Sequence, residues 1–279
     1  MKATLTTAFI LISSTILGQF NTFLYQTKNN NQIIMLSEGQ AQRNADILID
    51  ATPEILAETM PDGYYPSATN AFLVRTTTGE NVLVDAGFGR ELLNNLLQYN
   101  VSPEMIDAIL ITHMHGDHIG GLLDGSSLKT FPNANLYLAK SEYDYFYVDR
   151  LETQAQNLAN AVISAYRDKL ILFEPGEMVV AGIIECLPNF GHTPGHTVYL
   201  IDDVLIWGDM VHAMAVQMPY PTVSVTFDVD NKKAVQARLE MLNYIVDNNF
   251  LVAGMHIAYP GIGTLKANGK GGYMFTPIE

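Results

Sequence analysis

The sequence predicts an α/β fold in which two sheets pack face to face and helices cover their outer sides. The predicted strands and helices alternate, but the strands come in two clusters. This arrangement favours two packed sheets over a single doubly wound sheet. Of the 279 residues, 48% are hydrophobic and 16% are charged, which is enough apolar material for a sizeable core.

The first half of the chain begins with short β-rich runs and then alternates helix and strand. Leucines at helical spacing predict the helix, and a buried apolar strand follows it. The predicted strands are Gln32 to Ser37, Ala71 to Thr76, Asn81 to Gly87 and Ala108 to Thr112, and the predicted helix is Arg90 to Tyr99.

The second half repeats this style. A strand from Asn135 to Lys140 precedes a helix from Thr153 to Leu170, and several short strands follow between Leu172 and Trp207. An amphipathic helix from Lys232 to Asp247 then leads to an apolar strand from Phe250 to Met255.

Composition excludes some classes of partner. The 15 basic and 29 acidic residues give a net charge of -14, which repels nucleic acid and anionic lipid. We therefore expect a small-molecule substrate. The single cysteine, Cys186, cannot form an intrachain disulfide.

The N-terminus resembles a secretory signal peptide. After Met1 and Lys2, the uncharged run from Ala3 to Gly18 is too short to span a bilayer and fits an apolar h-region. We expect cleavage near Gly18-Gln19, a secreted or periplasmic location and no membrane attachment after processing. The alternative is a first strand of the fold. No repeat or long linker divides the rest, so residues 19–279 are expected to form one domain.

A dense group of ligand-type side chains follows the strand that ends at Thr112. The stretch ITHMHGDHIGG contains His113-x-His115-x-Asp117-His118. Two imidazoles two residues apart can share one ion, and the adjacent Asp117 and His118 must point elsewhere, where they could hold a second. Imidazole and carboxylate are the ligands of zinc and its neighbours.

The remaining polar candidates also lie at turns or predicted strand ends, which brings them to one edge of a sheet. They are His192 and His196 in FGHTPGHT, Asp209 and His212 in IWGDMVH, and His256 in VAGMH.

In their order along the chain, these motifs resemble those of the metallo-β-lactamase superfamily of hydrolases. The resemblance implies an αββα sandwich and two divalent ions, zinc being expected and manganese, cobalt or iron being alternatives. It implies that Asp209 bridges the ions and that Asp85 steadies the His-rich loop. It assigns His113, His115 and His192 to the first ion, and Asp117, His118 and His256 to the second.

His196 and His212 are the ambiguous histidines. By the family's pattern His192 is the ligand, and His196 and His212 support the site. For both, a hydrogen-bonded loop histidine with no catalytic role is an equal alternative.

The C-terminal stretch from Ala253 onward is similar to that of methyl parathion hydrolase and related lactonase-like enzymes. Tyr259 stands where phenylalanine is common and Thr264 where a histidine often lies, so the organophosphate specificity does not transfer with the motif.

The resemblance implies that a metal-bridging hydroxide attacks a carbonyl carbon or a phosphorus centre, with Asp117 or Asp209 carrying the proton to the leaving group. Tyr145, Met214 and Tyr259 are expected to line the substrate pocket. No lysine or arginine lies between His212 and Tyr220. We therefore expect a neutral apolar ester or lactone, with a phosphotriester as a further candidate.

The same residues argue against other functions. Class B β-lactamases lack an aspartate that bridges the metals, and a glutathione-thioester hydrolase needs a C-terminal helical domain. A mononuclear-iron sulfur dioxygenase, or a binding protein on this scaffold, should have lost ligands that are present here.

If residues 1–18 are a signal peptide, the mature protein in the extracytoplasmic fraction should begin near Gln19. Mass spectrometry of the intact protein measures this. Protein that retains Met1 in that fraction would contradict the expectation.

Overall fold

The computed structural model describes residues 22–149 and 154–279. The predicted signal peptide, residues 1–18, lies outside the described residues. Among those described, no helix is both long and apolar enough to cross a lipid bilayer.

Two seven-stranded mixed sheets form the centre of the fold. In chain order, the strands are β1 (Thr22–Gln26), β2 (Gln32–Arg43), β3 (Leu48–Ile49), β4 (Tyr65–Arg75), β5 (Asn81–Val84), β6 (Ala108–Leu110), β7 (Asn135–Ala139), β8 (Leu170–Phe173), β9 (Met178–Val179), β10 (Ile184–Pro188), β11 (Thr197–Ile201), β12 (Val204–Ile206), β13 (Ser224–Val225), β14 (Leu251–Ala253), β15 (Ile262–Ala267) and β16 (Tyr273–Pro277).

The first sheet has the order β1-β2-β4-β5-β6-β7-β8, and β5 to β8 run parallel. The second has the order β16-β15-β14-β12-β11-β10-β9, with one parallel pair, β12 and β14. The short strands β13 and β3 pair separately.

Seven α-helices accompany the described strands. They are α1 (Pro53–Thr59), α2 (Leu92–Gln98), α3 (Gly116–Ile119), α4 (Lys140–Tyr143), α5 (Gln154–Ala165), α6 (Met214–Gln217) and α7 (Asn231–Asn248). A π-helical turn, Asp144–Val148, continues α4.

Alternation along the strands builds the layers, because successive side chains of a strand point to opposite faces. In β2, Ile33 and Met35 join the core between the two sheets, whereas Ile34 and Leu36 join the core that includes residues of α2 and α5. Both faces of this sheet are therefore buried.

The helix α7 covers the outer face of the second sheet. Asp230 caps its N-terminus by accepting a hydrogen bond from the backbone of Lys233, at 3.1 Å, and Asn249 ends it in a left-handed conformation. Its buried face carries Met241, Leu242 and Ile245. These residues pack with Trp207 and other residues of the second sheet in a third hydrophobic core, which lies between that sheet and α7.

The predicted αββα architecture is confirmed, with corrections at element boundaries. β2 and β4 are longer than the hydrophobic runs that predicted them, and α5 ends at Ala165, before the predicted end at Leu170. The sequence did not predict β15 and β16. The stretch from Ser141 to Tyr147, which contains the predicted pocket residue Tyr145, is helical.

Candidate metal centre

Asp85 and each predicted metal ligand follow a strand, or lie in a loop or short helix, at one edge of the two sheets. Asp85 follows β5 directly, the His-rich loop follows β6, and Asp209 follows β12. The loop before β11 contributes His192, and His256 follows β14. Both sheets thus contribute side chains to one cluster.

Asp85 holds the start of the His-rich loop. Its carboxylate accepts hydrogen bonds from the backbone N–H and the hydroxyl of Thr112, at 2.8 and 2.7 Å. The Nδ1 atom of His118 lies 2.6 Å from the same carboxylate. An acceptor at Nδ1 leaves His118 Nε2 directed into the cluster with its lone pair free.

Three imidazoles form the first group. The Nε2 atom of His113 lies 2.9 Å from Nδ1 of His115 and 3.1 Å from Nε2 of His192. The atoms of His115 and His192 are 3.0 Å apart. Ligands about 2.05 Å from a tetrahedral zinc ion lie about 3.3 Å from one another, so this triangle has nearly the size of one tetrahedral face.

The second group lies on the other side of Asp209. The Nε2 atoms of His118 and His256 lie 3.0 and 3.1 Å from Asp209 Oδ1. The carboxylate of Asp117 is 3.8 Å from His118 Nε2 and 3.7 Å from His256 Nε2.

Asp209 lies between the two groups. Its Oδ1 atom faces His118 and His256, whereas its Oδ2 atom is 3.6 Å from His113 Nε2 and 3.4 Å from His192 Nε2. One carboxylate oxygen is therefore available to each group, as a bridging ligand requires.

The unused polar atoms fit a pair of cations. His118 Nε2 and Asp209 Oδ1 are buried and lack a hydrogen-bond partner of acceptable geometry, which is costly unless another group binds them. Burial and the neighbouring His192 lower the pKa of His115 to about 3, so its imidazole is neutral, as a metal ligand must be.

In the second group, the acidic side chains favour the positively charged form of the neighbouring histidines. Burial alone would lower the pKa of His256, but Asp209 and Asp117 raise it to about 9. Burial alone would raise the pKa of Asp209, but His118 and His256 hold it well below its usual range. Two divalent cations satisfy the same carboxylates, so the residues present fit the implied metal pair.

Both ring nitrogens of His196 are engaged elsewhere. Its Nδ1 atom donates to the carbonyl of Asn189 at 3.0 Å, and its Nε2 atom accepts the backbone N–H of Asp209 at 2.9 Å. Gly208, with φ of 57°, packs so closely that a Cβ would lie 2.5 Å from this nitrogen. His196 thus positions Asp209 and has no nitrogen left for a metal.

His212 contacts the same carboxylate from a different direction. Its Nε2 atom lies 3.0 Å from Asp209 Oδ2, and its ring stacks on that of His256 with centroids 5.1 Å apart. It is buried next to the site, and the expectation that it lines or supports the site stays a proposal.

Sequence reasoning missed Glu142, a fully buried residue of α4. Its carboxylate accepts from the backbone N–H of Met114 at 2.9 Å, and from the Thr193 hydroxyl and the Gly195 N–H at 2.7 and 2.9 Å. Burial raises its pKa to about 7, against the opposing effect of these hydrogen bonds. Glu142 joins the loop of His113 and His115 to the loop of His192.

Sequence reasoning also missed Asp228 and Arg238. Asp228 Oδ1 lies 2.9 Å from His192 Nδ1, which leaves His192 Nε2 directed into the first group. The buried guanidinium of Arg238 donates to the carbonyl of Met210, next to Asp209, at 2.6 Å, and lies 3.9 Å from Asp228. No local motif marks either residue, because their partners are distant in sequence.

A cavity of about 670 Å³ opens beside the second group. Its lining comprises Arg43, Asn44, Asp46, Ile47, Tyr65, Ser67, Phe88, His115, Gly116, Asp117, Asp209, His212, Phe227 and His256. Two expectations do not hold for this cavity.

The first expectation concerned its walls. Tyr145 packs against the outer core of the first sheet, Met214 against the core beneath α7, and Tyr259 against Phe23. None of these predicted pocket residues lines the cavity. The second expectation concerned charge: the segment from His212 to Tyr220 has no lysine or arginine, but Arg43, at the end of β2, lies in the cavity wall.

Comparison with known proteins gives a consistent family. The model of the metallo-beta-lactamase superfamily matches residues 64–251, more than half of the chain. Hydroxyacylglutathione hydrolase 2 of Vibrio vulnificus (strain YJ016) is 31% identical over 140 residues, which cover 50% of this chain and 46% of that protein. The chain thus spans about half the length of the curated relatives it matches.

Solved structures resemble the chain over most of its length. The hydrolase AbOPH of the beta lactamase superfamily has a TM-score of 0.80 at 27% identity, covering 93% of this chain and 98% of its own. AidC, a dizinc quorum-quenching lactonase, has a TM-score of 0.84 at 23% identity with the same coverage, a likeness that shows the fold.

Replacing Asp209 with Ala should reduce the bound metal from two ions per chain towards one, because the ligand shared by the two groups is lost and the cations repel each other more strongly. Elemental analysis and circular dichroism of the purified variant measure metal content and fold.

The same assay tests the choice between two histidines. His192→Ala should lose an ion, whereas His196→Ala should keep two and lower only the thermal stability. The opposite result for the two variants would reverse the ligand assignment.

Replacing Glu142 with Gln should leave a buried N–H or hydroxyl without its acceptor and destabilise the fold by about 1–3 kcal/mol. We expect zinc affinity to fall about 10- to 100-fold for one ion and much less for the other. Urea unfolding and competition with a chromogenic chelator measure these effects. The exposed Glu240→Gln is the control, and equal zinc affinity in the two variants would contradict the role of Glu142.

Proposed function

The chain belongs to the metallo-β-lactamase superfamily, and on that premise we propose that it is a hydrolase that uses two divalent metal ions to cleave a lactone or ester. The observation that carries this proposal is the position of Asp209, with one oxygen facing each of two complete groups of ligands. A scaffold kept only for binding would have no need for both groups.

The metal pair, when bound, supplies hydroxide near neutral pH and polarises the substrate oxygen. The protein's own residues hold the reacting positions. Asp85, Asp228 and Glu142 fix the rings and loops from behind, which keeps the ligand nitrogens directed inward.

Asp117 is the group we propose for moving the proton to the leaving group. Burial raises its pKa, but His118 and His256 outweigh that effect and lower it, so its carboxylate is ionised and can accept a proton. Its side chain is 27% exposed and lies in the cavity wall, whereas that of Asp209 is only 4% exposed.

The cavity favours a substrate with an apolar body. Phe88, Phe227, Ile47 and Tyr65 contribute its apolar walls. Phe88 and Phe227 are 44% and 52% exposed, so a ligand that covers them gains hydrophobic contact. The similarity of fold to AidC, a lactonase, supports a lactone as the reacting group.

A phosphotriester is the second candidate, because it also presents an uncharged centre to the metals. The reason to test it is the C-terminal sequence from Ala253 onward, whose resemblance to methyl parathion hydrolase is an expectation from the motif alone. The departures at Tyr259 and Thr264 lead us to expect slower turnover of phosphotriesters than of lactones.

The proposal is tested with metal-replete protein. An aliphatic lactone and an aryl ester should be hydrolysed, and a phosphotriester more slowly. Chelation should abolish all three activities, and zinc, manganese or cobalt should restore them. Asp209→Ala should lower kcat/KM by at least about a hundredfold.

Two results would contradict this function. One is two bound ions per chain with lactones and esters untouched. The other is a single iron per chain together with oxygen consumption on a persulfide substrate, which would support the sulfur dioxygenase alternative.

A further inference from the structure

Arg43 is the one arginine in the lining of the cavity, which contains no lysine. It is the last residue of β2, where its backbone pairs with that of Tyr65 on β4. Its side chain is exposed to the cavity and solvent rather than buried in either core. None of the functional roles assigned so far uses it.

The guanidinium of Arg43 has no acidic partner among residues 22–149 and 154–279, although the chain contains 29 acidic residues and only 15 basic ones. The nearest acidic residue in sequence that lines the cavity is Asp46. Its carboxylate accepts a hydrogen bond from Asn44 Nδ2 at 2.7 Å and forms no ion pair with Arg43. The positive charge of Arg43 is therefore available to a ligand.

Further hydrogen-bond donors lie beside it. Tyr65 and Ser67, two residues apart on β4, share one face of that strand and line the cavity. Arg43 and Tyr65 are directly opposite each other on the paired strands β2 and β4, so their side chains share one face of the sheet. Burial raises the pKa of Tyr65, and the positive charge of Arg43 opposes that rise. This part of the wall places a cation beside two residues that carry hydroxyls.

We propose that Arg43 binds a carboxylate of the substrate that is not the reacting group. The substrate class is then a lactone or ester whose reacting group is uncharged and whose apolar body ends in a carboxylate. The planar guanidinium matches a carboxylate in a two-point hydrogen bond, which a neutral body cannot offer. This inference rests on the proposed function for the bond that is cleaved, and it adds a charge at the far end of the substrate.

Matched substrates test the proposal. They are the 4-nitrophenyl monoesters of adipic and suberic acid, and the same compounds with the free carboxylate converted to a methyl ester. The wild-type protein should prefer the acids. Arg43→Gln should lower kcat/KM for the acids about tenfold and much less for the methyl esters, because only the acids lose a charged partner.

Two further variants sharpen the result. Arg43→Lys keeps the charge but loses the planar fork, so it should restore part of the preference. Arg90→Gln removes an arginine that stacks on Phe88, at 4.8 Å from its ring, but does not line the cavity. It should leave the ratio of acid to methyl ester unchanged.

Equal losses for acids and methyl esters in Arg43→Gln would overturn the proposal, as would a wild-type protein without preference. If neither ester is cleaved, the lactone assay decides the proposed function and binding decides the role of Arg43. Isothermal titration with the N-butyl amide of adipic acid should then show tighter binding than with its methyl ester, and Arg43→Gln should abolish the difference. Equal affinities in the wild type would overturn the proposal.

Discussion

The site depends on a single carboxylate, that of Asp209, shared between two groups of ligands. Two divalent cations a few ångströms apart repel each other strongly in a buried environment. A carboxylate with one oxygen towards each group would reduce that repulsion and would fix the spacing of a bound pair. The two groups of histidines lie on opposite sides of Asp209, so a shift of the Asp209 side chain changes its distance to both groups at once.

The fold fixes Asp209 through its own backbone and through both neighbouring residues. His196 accepts the backbone N–H of Asp209, and position 208 packs so closely on that imidazole that only glycine fits there. Arg238 binds the carbonyl of Met210, the next residue in the chain. Because each contact is buried, the position of Asp209 is determined by packing rather than by the metals alone.

Burying acids costs free energy unless their oxygens are hydrogen-bonded. Asp85, Glu142 and Asp228 are each buried. Asp85 and Glu142 accept hydrogen bonds from the loops that carry the histidines, and Asp228 accepts from His192 as well as from Ser224 and Val225 of β13. The same bonds that make the burial tolerable also hold the rings in place. The same hydrogen bonds therefore stabilise the fold and preorganise the ligands. Removing one of them should lower both the stability of the protein and its affinity for metal.

The sequence was informative where the chemistry is local. His113, His115, Asp117 and His118 lie within six positions, and strand ends could be recognised from apolar runs. Asp85 was identified because it ends such a run and matches the pattern of the family that the motifs resemble. Glu142 and Arg238 carry no comparable signal, since a buried glutamate on a short helix looks like an exposed one until its partners, 28 and 53 positions away, are known.

The substrate pocket shows where this reasoning stops. Aromatic residues near the motifs in sequence, such as Tyr145, are packed in a core. The cavity instead takes residues from the end of β2, from the start of β4, from the turn that carries Phe88 and from the loop that carries Phe227. These segments meet only after both sheets have formed. The proposed metal ligands lie in motifs that resemble those of the family, whereas most of the cavity wall is built from segments outside them. Resemblance to the family therefore predicts the reacting centre, and the proposal for the substrate depends on residues such as Arg43.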